Sequence, residues 1–251
     1  MSCYALMLCA VWVYPGFTEC AEGSIWCSII YWSTQSAGRP GTLIIIILTS
    51  VGFALTGNTA LDKLKVMLRT FVVLSIFLAG FAWLNDNVLK PAFHISRPSH
   101  LYIIKQAHST LRLDSIYTLV VTKRRTIFNE IISSDTIHFK SVDRRILNHW
   151  VEEAGYSFPS GHSFNAFLLG TFIAWCIFEL KGRKIGVLPF LPLLWASIVG
   201  LSRVAIGAHT PLDVTAGAGL GLVLSHALLA IPAVRKLIVP VARDMHPVNV
   251  P

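Results

Sequence analysis

Charge is scarce in this chain. Only 14% of its 251 residues are Asp, Glu, Lys or Arg, well under the ~25% of an ordinary soluble domain, while 54% are hydrophobic. Mean hydropathy is positive, +0.62, and the combination excludes a soluble globular domain. Acidic residues are the rarer sign, 13 against 21 basic ones. They form no cluster of the kind that cages a magnesium or calcium ion. Five cysteines are present, without the spacing of a zinc or thiol-redox pair. No Lys or Arg precedes Arg39, so the apolar start lacks the basic leader of a secretory signal peptide and reads as an uncleaved first helix. A net charge of +8 would suit nucleic acid or an anionic membrane surface, but no nucleic-acid recognition module is visible. The membrane surface remains.

What the chain does have is apolar length. Crossing ~30 Å of hydrocarbon takes about 20 residues of helix, and apolar segments near that length fall at 2–15, 41–56, 67–88, 164–180, 185–201 and 213–231. The expected fold is an all-α membrane protein: a six-transmembrane-helix bundle with a small, mainly helical outer (periplasmic) cap between spans three and four. Residues 1–89 would hold spans one to three, with an interfacial helix over 18–37, where Trp26, Tyr31 and Trp32 stand among polar residues. Residues 90–160 would form the outer segment, mixing alternating stretches such as 115–122 with polar helical ones such as 142–153. Residues 161–251 would hold spans four to six and a cytoplasmic tail. Lys63, Lys65 and Arg69, then Lys181, Arg183 and Lys184, then Arg235 and Lys236 lie in short loops, which the positive-inside rule places in the cytoplasm. The long segment between spans three and four then faces outward.

Three clusters share that outer face. Lys90 and Arg97-Pro98 follow span three, Pro159-Ser160-Gly161-His162 precedes span four, and Ser202-Arg203, His209 and Asp213 lie between spans five and six. An odd number of crossings between them would have separated them across the bilayer. Lys90, Arg97 and Arg203 can hold a phosphate dianion, Ser160 and the Gly161 amide can donate to it, and a helix starting at Gly161 aims free amides at an anion. Each cluster also has a plainer reading, as snorkelling cations or a helix cap. Thr210 reads as an N-cap, Pro211 as the first helical residue and Asp213 as the third, so that carboxylate lies close enough to His209 to fix its tautomer.

These spacings resemble the tripartite signature of the type 2 phosphatidic acid phosphatase superfamily: Lys, six residues, Arg-Pro; Pro-Ser-Gly-His; Ser-Arg, five residues, His, three residues, Asp. Every signature position matches. Chain length, the long outer segment and the run from His149 to Phe158 are most similar to the bacterial members that act on phosphatidylglycerol phosphate. The resemblance implies a phosphomonoesterase of the inner membrane with its site facing the periplasm and lipid phosphates as substrates. It makes His209 the nucleophile, forming a phosphohistidine, with Asp213 orienting it and His162 as general acid. Lys90, Arg97, Ser160, Gly161 and Arg203 would bind phosphate, and no metal or other cofactor is implied. Phosphatidylglycerol phosphate, phosphatidic acid and undecaprenyl pyrophosphate all fit these residues, and a lipid phosphotransferase is a further alternative. Vanadium-dependent haloperoxidases share the signature but are soluble, and a non-catalytic scaffold would have no use for it.

Glu153 precedes the second cluster closely enough to approach a head group, although a solvated helix face is its plainer reading. His94, His100, His108, His138 and His149 in the outer segment match no compact ligand motif and read as surface or structural. His226, inside the sixth span, reads as buried against a neighbouring helix. Cys20 and Cys27 are candidates for a disulfide in an oxidising compartment. Oligomeric state is not legible.

Overall fold

The structure, a computed structural model, describes residues 2–14, 20–107, 111–135, 137–181 and 186–238. Among the described residues it is all helix, with one isolated bridge between Ala21 and Val142. Helix α1 is Ser2–Val13, α2 Ile25–Ser36, α3 Arg39–Ala54 and α4 Ala60–Leu84. The Thr59 hydroxyl caps α4 by accepting from the Asp62 amide, and the helix runs on through a π-turn, Asn85–Leu89, into α5, Lys90–Phe93. Next come α6, Pro98–Gln106, α7, Leu113–Tyr117, α8, Val121–Ser134, and α9, Arg144–Glu152. Long helices α10, Gly161–Lys181, α11, Leu191–Ala205, and α12, Pro211–Ala230, follow, and α13 is Pro232–Ile238.

Four helical stretches are long and apolar enough to cross a bilayer: α4 with α5, then α10, α11 and α12. A fifth arises if α2 and α3, which meet at 62°, count as one path. The bend has a local cause, because Gly38 begins a new helix with Pro40 in its first turn, where the missing amide costs nothing. The segment expected at the interface therefore carries α2 against the bundle: Thr34 bonds Ser202 at 2.8 Å, and the Trp195 indole donates to Ser36 at 2.9 Å. Helix α1, at 12 residues, is shorter than a span. The stretch 115–122 is helical at both ends rather than alternating strand. Arg183 and Lys184, two of the loop cations, lie outside the described residues, as does His108.

Helix α10 is the axis of the bundle. Its contact with α12 is backbone against backbone, since a Cβ on Gly217 would collide with the Ser160 carbonyl and one on Gly221 would stand 2.5 Å from the Phe164 oxygen. Small residues four apart are how membrane helices approach this closely. Outward faces stay apolar: Ile44, Leu48, Leu68, Val72 and Ile76 are exposed, which suits lipid and would be costly in water. A separate core packs the small cap made by α6, α7, α8 and α9 around Trp150, Phe128, Ile103 and Ile146. Trp150 locks that cap to the bundle by donating its indole N–H to the Ile206 carbonyl at 2.7 Å, a residue whose truncation costs roughly 3–5 kcal/mol.

Candidate active site

The turn after α11 builds one wall. Arg203 ends that helix fully buried, and its carbonyl accepts from the amides of both Ala208 and His209 (3.1 and 3.2 Å) around Gly207, at φ +70. That left-handed position favours glycine and folds His209 back toward Arg203. The expected cap is present: Thr210 accepts from the Asp213 amide while Asp213 accepts from that of Thr210. The Asp213 carboxylate is thereby held facing His209 Nδ1 at 3.3 Å.

Arg97 forms the second wall. Its Nε donates to the Gly155 carbonyl at 2.9 Å, and its terminal nitrogens to Ala208 at 2.9 Å and Tyr156 at 3.3 Å. One of those nitrogens also lies 3.2 Å from His209 Nε2. A guanidinium can only donate, so Nε2 is the acceptor and the ring proton sits on Nδ1, facing Asp213. Burial first, and then the charge of Arg97, push the His209 pKa down to about 3. The imidazole is neutral, with its Nε2 lone pair directed at the Arg97 guanidinium on the wall of the site.

Glu153, just past the end of α9, closes the centre. Its Oε2 lies 2.6 Å from Arg97 and 2.5 Å from Arg203, while Oε1 lies 3.5 Å from His149 Nε2 and 3.6 Å from His162 Nδ1. Burial alone would raise this carboxyl, but the two guanidiniums hold it well below the usual carboxylate range. His149 accepts from Arg203 at 2.7 Å and is pushed down to about 4, chiefly by burial.

Of the expected residues, Arg97, Arg203, His162, His209, Asp213 and Glu153 converge. Lys90 stands at the edge, paired with Asp86 at 2.7 Å and within electrostatic reach of Arg97 and Glu153. Ser160 is fully buried and acts as a helix cap: its oxygen accepts from the Ser163 hydroxyl and amide, and its own amide donates to the Asp213 carbonyl at 3.0 Å. The Gly161 turn lies against Asn85, whose amide nitrogen would be 3.3 Å from a Cβ there.

Other expectations shift. Glu153 is an ion-paired centre and not a solvated face. His149, read as surface or structural, belongs to the site, and its four-residue spacing from Glu153 on a helix was the available signal. His100 is structural, bonded to Tyr117 and Trp150, while His138 pairs with Asp135 and His94 is exposed beside Tyr156. His226 is exposed and bonds its own helix at Leu222, not a neighbour. Cys20 and Cys27 are free thiols. Nothing in the sequence singled out Asn85, buried at the π-turn with its Oδ1 unpartnered.

A bundle of apolar helices with two buried guanidiniums and two histidines around one carboxylate is the architecture of a membrane protein with a built anion-binding centre. The sequence model of the PAP2 superfamily matches residues 69–236, and the chain belongs to that superfamily. Phosphatidylglycerophosphatase B of Escherichia coli (strain K12) is 25% identical over 237 residues, 90% of this chain and 82% of that protein. The Haemophilus influenzae protein of the same name is 25% identical over 241 residues, covering 92% and 94%. A probable lipid phosphate phosphatase 4 of Arabidopsis thaliana is 33% identical over 120 residues, 43% of this chain and 39% of that one.

Proposed function

We propose that this chain is an integral membrane lipid phosphatase that removes the terminal phosphate of phosphatidylglycerol phosphate and related lipid phosphates through a phosphohistidine. The observation that carries the reading is the meeting of Arg97 and Arg203 at a single anionic oxygen beside His209 Nε2. Once a phosphoryl oxygen has taken over the Arg97 N–H that Nε2 accepts, Nε2 attacks phosphorus in line as the bond to the lipid oxygen breaks, and His162 gives that oxygen its proton. Asp213 stabilises the imidazolium character that develops on His209. Water then attacks phosphorus, His162 takes its proton, and the N–P bond breaks to free phosphate. Arg97, Arg203 and Lys90, with the Gly161 amide and the turn capped by Ser160, neutralise the equatorial oxygens. This scheme draws its positive charge from side chains and needs no metal.

Six passes, with the cap outside a bacterial inner membrane, make up the topology we favour. It keeps all three clusters on one face, and the cap that supplies Glu153 and His149 joins them there. Substrate then arrives laterally, with acyl chains in lipid and phosphate at the cations.

The test is phosphate release by the purified full chain in detergent with a chelator, from phosphatidylglycerol phosphate, phosphatidic acid and undecaprenyl pyrophosphate in parallel. Release from the first at the highest kcat/KM is expected, with a loss of at least about a thousandfold in His209→Ala. A strict requirement for added divalent metal would remove the metal-free scheme. Preference for the pyrophosphate would move the protein to lipid-carrier recycling.

A further inference from the structure

The centre of the site already holds an anion of the protein's own. Glu153 Oε2 bridges Arg97 and Arg203 at 2.6 and 2.5 Å, and Oε1 faces His149 and His162. Those positions are where two peripheral oxygens of a phosphoryl group would sit if Arg97 and Arg203 bind it, and the inference rests on that reading of the seat. Arg97 cannot move aside, because carbonyls of Gly155, Tyr156 and Ala208 pin it. Arg203 is wholly buried, and its Nε has no partner among the described residues. Both guanidiniums therefore stay, and what can leave is Glu153, in the short bend after α9, with part of its side chain exposed.

We propose that Glu153 is a built-in competitor: a carboxylate that occupies the phosphate seat until a dianionic monoester displaces it, setting an affinity threshold that weaker-binding phosphodiester head groups do not reach. A site open to the bilayer faces phosphodiester lipids in vast excess over any monoester. Two buried guanidiniums without a counter-ion would take any of these anions. With Glu153 in place, a ligand must first compete with a carboxylate, so apparent affinity falls by the fraction of time the seat is free. A diester offers one negative charge and two unsubstituted oxygens. A terminal phosphate offers two charges and three oxygens, enough to replace both contacts and also reach the unpartnered Nε of Arg203.

The experiment measures binding of inorganic phosphate and of short-chain phosphatidylglycerol, a diester, to the purified full chain in detergent by calorimetry. Wild type, Glu153→Gln, Glu153→Asp and Arg203→Met are compared. Glu153→Gln should bind both ligands about tenfold tighter or more, by a similar factor, so that the weaker diester rises from near-undetectable to measurable binding. Glu153→Asp, too short to span both arginines, should also bind phosphate tighter than wild type and covers the case in which the Gln variant fails to fold. Unchanged or weaker binding in the folded Glu153 variants, with binding still lost in Arg203→Met, would overturn the inference and leave the seat standing. Phosphate binding that survives in Arg203→Met would overturn the seat itself.

Discussion

Several side chains in and around the site must stay in the protonation state that burial assigns them, and acid is the lever. His100, away from the anion seat, is pushed down to about 3 by burial and then by the charge of Arg97. Unfolded, it protonates near its ordinary value of 6.5, so between those pH values the unfolded chain holds more protons and stability falls as pH falls. By pH 5 the loss from this one group is about 2 kcal/mol. His149 and His209 act in the same direction, as does Glu153, whose depressed carboxyl contributes stability above its ordinary value that is lost in acid. The melting temperature in detergent should fall by several degrees between pH 7.5 and pH 5, with a shallower slope in His100→Gln. A flat profile would mean that these groups are not buried as described. The signature residues were legible because their chemistry and spacing are carried by their own identities. What Arg97 does was not, because its fixed partners are backbone carbonyls of residues 155, 156 and 208, which no side chain announces.

Among the helices, the seam between α10 and α12 decides whether the site exists. Gly217 lies directly against the Ser160 backbone, and the Ser160 amide holds the Asp213 carbonyl, so any side chain added there pushes the second cluster away from the third. Gly217→Val should lower the melting temperature and cut turnover by more than about tenfold even in the folded fraction, whereas Gly52→Ala, with open space around it in the interior of α3, should leave turnover unchanged and not lower the melting temperature. Equal behaviour of the two variants would argue against the close seam. The long helices were readable from apolar length, and the Thr210–Asp213 capping box from residue types alone. The 62° corner had its signal in Gly38 and Pro40, while the π-turn at Asn85 was not readable, because it depends on which neighbour the chain meets. The π-turn brings Lys90 to its place at the edge of the site, within electrostatic reach of Arg97 and Glu153, and a regular helix there would rotate the residues beyond it by about 100° for the residue gained.

For the whole molecule, sidedness is the open physical question, and Ile137 and Lys63 answer it. Ile137 is exposed at the tip of the cap, and Lys63 is exposed near the start of α4. In a background with its own cysteines removed, Ile137→Cys should react with a membrane-impermeant maleimide on intact spheroplasts, and Lys63→Cys only after lysis. The reverse pattern would invert the topology. The order in which the site's parts are synthesised has a consequence of its own. Arg97 meets a histidine 112 positions later, and Arg203 reaches back 50 and 54 positions to Glu153 and His149. A ribosome that has finished the cap has made only half the electrostatic partners. Until α11 and α12 are made, Glu153 and Arg97 have each other but neither Arg203 nor His209, the nucleophile of the proposed mechanism. On the proposed mechanism a nascent chain is therefore inert toward the lipids around it, and the onset of turnover reports that the last helix is home.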